Sequence, residues 1–292
     1  MGKTALVEQL FSTGFEIINA DSQQVYKYLS IGTAKPSAEL IKKIPHHLIG
    51  FLSPKLQFSV GCFVAEADRA VVNILRRGHV PVITGGTAFY FYHFMYGMPT
   101  APRADDSVRR EILRRFKAEG RSALWRELEE VDPVRAAQLH PNDTQRLLRA
   151  LEVFYSEGRP LSSYHPKGQQ RSAYRYFTVG LNRDRQELYR RINERVEVMW
   201  KSGLPEEFHS LIEMGFTADD PGMKGIGYRE FFIHRDSSDI STVDVKQEIQ
   251  KNSRRYAKRQ ITFFKRIPGV EWFHPDQKTD LKQRTLEFLH LK

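Results

Sequence analysis

The run from Asn19 to Pro36 opens with a carboxylate, Asp21, placed just past an apolar segment, Phe15 to Ile18, that reads as a buried strand. In an open α/β sheet, ligands gather outside the carboxyl ends of the strands. Asp21 is therefore a candidate general base or metal partner. Ser22, Gln23 and Gln24 follow, and all three can hydrogen-bond. The same Asp21 would also serve as a helix cap, accepting from the backbone N–H two or three residues on. A second group lies at the start. Gly2-Lys3-Thr4 precedes apolar residues at helical spacing, Ala5, Leu6, Leu10 and Phe11. Gly-Lys-Thr opening a helix is the last third of a phosphate-binding loop, in which Lys3 would cradle a diphosphate and the Thr4 hydroxyl would hold Mg²⁺. An ordinary frayed helix is the alternative. The third group is Thr84-Gly85-Gly86-Thr87, between Val80–Ile83, which reads as a fully buried parallel strand, and a helix beginning at Ala88-Phe89-Tyr90. Paired glycines let backbone approach a ligand closely. Thr87 would sit beside the Asp21 strand end, as a cap, a site group or both. His46-His47 suggest a structural or substrate-orienting role rather than a metal site, because adjacent side chains diverge.

The elements that must hold these residues alternate strand and helix. Phe63 to Arg77 carries an apolar stripe of Phe63, Ala67, Ala70, Val71, Ile74 and Leu75, stopped by Gly78. Residues 37–60 look loop-rich. Between 100 and 165 the strand-like runs cease. A helix opens near Arg103-Ala104-Asp105-Asp106 and passes Glu119, a second spans Ser122 to Glu130, and Asp132-Pro133 and His140-Pro141 mark turns. Asn142 or Asp143 caps a third helix, Thr144 to Glu157, ended by Gly158 and Pro160. Gln145, Arg146 and Arg149 are polar at helical spacing on it, a solvated face or a contact face. Tyr174 to Leu181 is a further strand. Arg183 follows it, well placed for a cation facing a diphosphate, and a helix spans Glu187 to Lys201. Phe208 to Met214 reads as a helical turn or two. Lys224 and Arg229 flank Gly225 and Gly227, a backbone that could approach a phosphate, with Arg229 divided between a diphosphate role and a contact to another phosphate or a structural one. Asp244 to Ile267 is a long helix with Ile249, Tyr256, Gln260, Phe263, Phe264 and Ile267 inward and Lys251, Arg254, Arg255, Lys258 and Arg259 outward. Trp272-Phe273 reads as a last strand. The fold expected is α/β: a P-loop NTPase-like core of parallel sheet flanked by helices, residues 1–103 and 166–292, interrupted by an all-helical insertion, residues 104–165.

Composition narrows the partners. The 292 residues carry 45 Lys and Arg against 35 Asp and Glu, a net charge of +10 that favours polyanions, nucleic acid first. A single cysteine, Cys62, excludes a disulfide framework and a cysteine-rich zinc module, and suits a reducing compartment. It lies among apolar residues and reads as buried filler. There is no apolar run near 18 residues, no signal-peptide pattern and no internal repeat.

Several stretches together resemble the tRNA dimethylallyltransferases over nearly the whole chain. They are Gly2-Lys3-Thr4, the Asn19–Pro36 run, Pro45 with His46-His47-Leu48, and Gly85-Gly86-Thr87 with Tyr90. Gln145-Arg146-Leu147-Leu148-Arg149-Ala150-Leu151-Glu152 follows. Arg183, Tyr189, Arg195, Val196 and Met199 come next, then Gly225-Ile226-Gly227-Tyr228-Arg229-Glu230 and Tyr256-Ala257-Lys258-Arg259-Gln260 with Phe263. The resemblance implies transfer of a dimethylallyl group from dimethylallyl diphosphate to the exocyclic amine of the adenosine 3′ of the tRNA anticodon. It implies Asp21 as general base with Thr87 orienting it or the substrate. Gly2, Lys3, Thr4 with Mg²⁺, Arg183 and Arg229 would bind diphosphate. Asp21, Ser22, Gln23, Gln24 and Thr87 would meet the flipped base. Arg109, with Gln145, Arg146, Leu147, Leu148 and Arg149, and the cations Lys251, Arg254, Arg255, Lys258 and Arg259 would grip the RNA. A cytoplasmic monomer without a zinc module is expected. A P-loop small-molecule kinase would explain Gly-Lys-Thr but not the basic helix or the Gln-Arg helix. A tRNA-binding protein without catalysis is the other rival, because the family places Gly-Pro-Thr-Ala-Ser and a central strand before Gly-Lys-Thr. Lacking them, the chain is expected to be less stable than a full-length relative and to bind diphosphate poorly.

Overall fold

The computed structural model describes residues 2–10, 13–98, 105–164, 170–235 and 242–290. Met1, Phe11, Arg103, Ala104 and the 165–166 boundary lie outside the described residues, as does the side chain of Thr4. The chain divides into two compact units, Met1–Met95 with Ala173–Lys292, and Tyr96–Ser172.

The first unit begins with α1 (Lys3–Leu10), β1 (Phe15–Ala20), α2 (Ala38–Lys43), β2 (His46–His47), α3 (Val60–Arg76), β3 (Val80–Gly85) and α4 (Ala88–Tyr96). β1 is central to a parallel sheet of order β2-β1-β3, with Ile17 opposite Val82 and Ala20 opposite Gly85. Ile17, Ile18 and Ala20 are fully buried, each large side chain contributing roughly 1.5–3 kcal/mol. α3 starts where Ser59 accepts from the Cys62 amide and buries Phe63, Ala67, Ala70, Val71 and Ile74 against the sheet. Phe63 stacks on Tyr90 of α4 at 4.3 Å.

Helices α5 (Asp106–Glu119), α6 (Arg121–Val131), α7 (Pro133–Gln138) and α8 (Thr144–Glu157) make the second unit. Its core joins Ile112, Leu124, Leu128, Leu147, Leu151 and Leu161. Asp132-Pro133 begins α7: the Asp132 carboxylate accepts from the Arg135 amide, with Pro133 in the first turn. Asp143 caps α8, and Gly158 ends it in a left-handed conformation.

The first unit resumes with β4 (Thr178–Leu181), α9 (Arg185–Lys201), α10 (Leu204–Glu213), α11 (Arg229–Arg235), α12 (Thr242–Phe264), β5 (Val270–Phe273) and α13 (Lys278–His290). β4 and β5 pair in parallel as a separate two-stranded sheet.

Two expectations need correction. β3 is half-buried along its length rather than fully buried, because among the described residues it has a partner on one side only and Pro81 removes a donor. Cys62 is exposed, since it precedes Phe63 and falls off the buried stripe of α3. Residues 37–60 are loop-rich, as expected, and hold the short elements α2, capped by Ser37, and β2.

Candidate active site at the strand ends

β1 delivers Asp21 at its carboxyl end, and the segment after it turns sharply. Asp21 Oδ1 accepts from the amides of Gln23 at 2.9 Å and Gln24 at 3.4 Å. No helix follows: residues 22–25 form a turn and the next helix begins at Ala38, so the expected helix cap is instead a turn closed through one oxygen. Oδ2 faces the Gly85-Gly86 turn, 3.6 Å from where a Cβ on Gly86 would stand, and no hydrogen bond from a described residue reaches it. One carboxylate therefore both fixes its own backbone and keeps a lone-pair face open.

The turn after β3 is built against β1. A Cβ on Gly85 would lie 2.1 Å from the Ala20 carbonyl oxygen, so only glycine fits. The Thr87 amide donates to that carbonyl at 3.1 Å. Thr87 Oγ1 accepts from the Ser22 amide at 2.9 Å and donates to Ser22 Oγ at 3.2 Å. Asp21, Ser22 and Thr87 thus form one rigid corner where two strands end. From α12, Tyr256 OH donates to the Gly86 carbonyl at 3.3 Å, and Gln260 Nε2 donates to the same oxygen.

Cations face this corner. Crowding by protein pushes the Lys3 ammonium pKa down, although its side chain remains open to solvent; Asp21 pulls it up and Arg195 pushes it down. Arg195, on α9, is pushed down by burial and pulled up by Asp21. Two cations thus lie within electrostatic reach of one carboxylate, an imbalance suited to a bound anion. Burial, with a smaller contribution from Asp21, pushes the Tyr256 phenol up and keeps it a neutral donor. The other sheet arrives at the same place. A Cβ on Gly2 would sit 3.8 Å from Arg183 Nη2 and 3.5 Å from Pro275 Cβ, just past the ends of β4 and β5. The start of α1 therefore meets residues just past the ends of β4 and β5, while its Lys3 feels Asp21 just past the end of β1.

Not every expected residue is placed to act directly. Arg183 is nearly buried and already pairs with Glu187 at 2.6 Å and Asp276 at 3.7 Å. Arg229 donates to Glu230 at 3.1 Å; that fully buried carboxylate also accepts from the Gly227 amide and Asn252. This is a knot between α11 and α12, the structural alternative for Arg229. The Gln23 amide is wedged under Gly225, where a Cβ would meet Oε1 at 2.1 Å, and that oxygen has no hydrogen-bond partner among the described residues. Gln24 Nε2 donates to the carbonyls of Thr33 and Ala34 at 3.0 and 3.1 Å. His47 is structural: its Nε2 pairs with Glu16 at 2.7 Å, alongside Arg77 and His79.

In the helical unit, Gln145 and Arg146 are exposed, the latter 3.4 Å from Asp143. Arg109 and Arg149 share Glu152 at 3.8 and 3.7 Å. Leu147 is fully buried and Leu148 packs on the same core, so these two anchor the contact face rather than form it. On α12, Lys251 pairs with Glu248, and Arg254 donates to Asn193. Arg255, Lys258 and Arg259 are exposed, with no carboxylate partner among the described residues.

Arg195, Tyr256 and Gln260 are residues the sequence reading did not assign to the site. They come from helices far along the chain, and their signal was membership in the quoted runs. Among the described residues, no cluster of three His, Cys, Asp or Glu could hold a metal, and no helix is long and apolar enough to cross a membrane.

The family model described as IPP transferase matches residues 24–267. The tRNA dimethylallyltransferase of Geobacter sulfurreducens is 40% identical over 273 residues, covering 93% of this chain and 88% of that protein. That of Salinibacter ruber is 41% identical over 274 residues, covering 93% and 84%. Among solved structures, a tRNA delta(2)-isopentenylpyrophosphate transferase from Staphylococcus epidermidis superposes with a TM-score of 0.70 at 31% identity, covering 100% of this chain and 96% of that one. A structure described as a eukaryotic dimethylallyltransferase acting on tRNA gives 0.77 at 25% identity, covering 98% and 75%.

Proposed function

The chain belongs to the IPP transferase family, and from that premise we propose that it transfers a dimethylallyl group from dimethylallyl diphosphate to the N6 amine of the tRNA adenosine 3′ of the anticodon, releasing diphosphate. The observation that carries this reading is the Asp21 carboxylate, engaged by the turn through Oδ1 and open at Oδ2, facing a glycine turn with two cations in reach.

An aromatic amine is a weak nucleophile. Asp21 Oδ2 accepts its proton as the new C–N bond forms and the C–O bond to diphosphate breaks, assistance worth about 10²–10⁴ in rate. Thr87 and Ser22 hold the corner that aims the carboxylate. Lys3 and Arg195 stabilise the charge growing on the departing diphosphate. Arg183 supports the Gly2 backbone from beneath and, with Arg229, is a secondary candidate for diphosphate. The target base must leave its stack to reach the corner. Gln24 Oε1, opposite its engaged amide nitrogen, is the acceptor that meets it. Arg109, Gln145, Arg146 and Arg149 on the helical unit, and Arg255, Lys258 and Arg259 on α12, bind backbone phosphates.

A Mg²⁺ ion carried by the substrate keeps most of its waters and takes few protein ligands. Thr4 would hold it, and when bound it neutralises charge on the diphosphate. Dimethylallyl diphosphate as donor, a monomeric state and a cytoplasmic location belong to the same proposal. Incubation with an anticodon stem-loop and dimethylallyl diphosphate, against ATP with small-molecule acceptors, tests it. Prenylated adenosine and released diphosphate are expected. ATP-dependent phosphorylation, or RNA binding with no transfer, overturns it.

A further inference from the structure

Far from the corner in sequence, α10 carries a carboxylate with an unusual set of partners. Glu207 Oε2 accepts from the amides of Ser30 at 3.0 Å and Ile31 at 2.9 Å, while Oε1 accepts from Ile31 and Gly32 at 3.1 Å each. Oε1 also accepts from the Tyr228 hydroxyl at 2.6 Å, and the Gly32 amide donates to that phenol oxygen at 3.1 Å. Three successive N–H groups of one loop thus converge on one anion, the geometry of a backbone nest. Tyr228 is fully buried, and a Cβ on Gly32 would lie 2.5 Å from its ring. The loop cannot slide without breaking several bonds at once.

The opposite side of the same loop faces the site. With its N–H groups turned to Glu207, it presents the carbonyls of Thr33 and Ala34, and both accept from Gln24 Nε2. Ala34 holds a left-handed φ of 48°, a conformation that costs a non-glycine residue about 1–2 kcal/mol and that the loop's other bonds must sustain. An amide whose two N–H groups are consumed by two carbonyls has one orientation. Its Oε1 is then a fixed acceptor, and the Gln24 backbone amide stays on Asp21 Oδ1.

We propose that Glu207, with Tyr228, is a positioning residue for the base-binding side of the site: it acts through the 30–34 loop to fix the Gln24 amide. Glu207 touches no reacting atom. This inference rests on the transferase reading above.

A double-mutant cycle tests it with the full chain, dimethylallyl diphosphate and an anticodon stem-loop. Glu207→Gln supplies one acceptor and a donor that opposes the loop amides. It should lower kcat about tenfold while the KM for dimethylallyl diphosphate stays within about twofold, since Lys3 and Arg195 are untouched. Gln24→Ala should have a similar effect, and the double variant should lose no more than about threefold beyond either single. Tyr228→Phe, a milder change, should follow the same pattern if Glu207→Gln does not fold. Losses that multiply to about 100-fold overturn the coupling, as does a rise in the diphosphate KM equal to the fall in kcat. Hydrogen exchange of the Ser30, Ile31 and Gly32 amides is independent of turnover: strong protection is expected, and rapid exchange in the folded wild type overturns the nest. A wild-type chain that transfers nothing while keeping these amides protected counts against the transferase reading instead.

Discussion

Asp21→Asn separates two roles that one carboxylate performs. The turn uses Oδ1 as an acceptor for the Gln23 and Gln24 amides, and an asparagine oxygen accepts equally well. Asn and Asp both favour such side-chain-to-backbone turns, so stability should change by no more than about 0.5 kcal/mol. The base, by contrast, needs a proton acceptor at Oδ2, where asparagine places an amide. Loss of general-base assistance predicts a rate about 10²–10⁴ lower, or about 2.7–5.4 kcal/mol at 1.36 kcal/mol per tenfold. Asp21→Ala removes both functions. It should match the asparagine variant in rate but lose a further ~1 kcal/mol of stability with the turn's hydrogen bonds, about 2–4 °C in Tm. Neutralising Asp21 also removes the charge that pulls the Lys3 pKa up. The loss of diphosphate affinity on raising pH should therefore begin at lower pH in either variant. Single-turnover transfer at saturating RNA, beside thermal unfolding of each variant, reads both effects. An asparagine variant with near wild-type transfer removes Asp21 as the base, and equal destabilisation by Asn and Ala removes Oδ1 as the anchor of the turn.

Further tests address the scaffold. The Glu16 carboxyl is held at about 2, chiefly by hydrogen bonds from Arg77, against burial, with His47 and His79 adding to the effect. A depressed carboxyl contributes stability that is present above about pH 4.5 and lost as pH falls toward 2. The gap corresponds to about 3 kcal/mol, discounted to about 1–2 because its partners are open to solvent. Glu16→Gln should flatten the acid limb of a urea-midpoint series. Gly85→Ala drives a Cβ into the Ala20 carbonyl and should cost about 1–3 kcal/mol. Gly86→Ala clashes with the movable end of Gln260, at 2.4 Å, and touches Asp21 Oδ2 at an ordinary 3.6 Å, so transfer should fall while Tm holds; the reverse pattern would contradict the glycine assignments. Replacing Arg255, Lys258 and Arg259 by Gln should reduce the salt slope of RNA binding by about 2–3 without altering Tm. An unchanged slope would place the RNA elsewhere.

The candidate corner was legible because its signals are local. An apolar run followed by Asp21, and another followed by paired glycines and Thr87, mark strand ends whatever their neighbours. Helix α8 was legible from Asp143 to Gly158 for the same reason: caps are written within a few residues. The helix-cap reading of Asp21 could be judged only in three dimensions, where a turn and not a helix follows and each oxygen has its own surroundings. β3 was misjudged because burial of a strand depends on how many strands flank it, and Val80-Pro81-Val82-Ile83 carries no such count. Cys62 was misjudged by a single step of helical phase. Arg195, Tyr256 and Gln260 reach the corner across more than 100 residues of chain, a distance over which no spacing rule operates. Glu16 was invisible for the opposite reason: a charge inside an apolar strand looks like noise until Arg77, His47 and His79 are seen around it.

The free side of β3 has a practical consequence for handling the protein. A half-buried strand whose outer edge no described strand pairs is a template for pairing with another chain. Pro81 interrupts that template at one position only. A net charge of +10 opposes such pairing by mutual repulsion. Concentrated salt, the usual means of stripping nucleic acid from a basic protein, screens that repulsion. Purification should therefore meet precipitation just where the RNA comes off, and exchange against a competing polyanion at low ionic strength should avoid it.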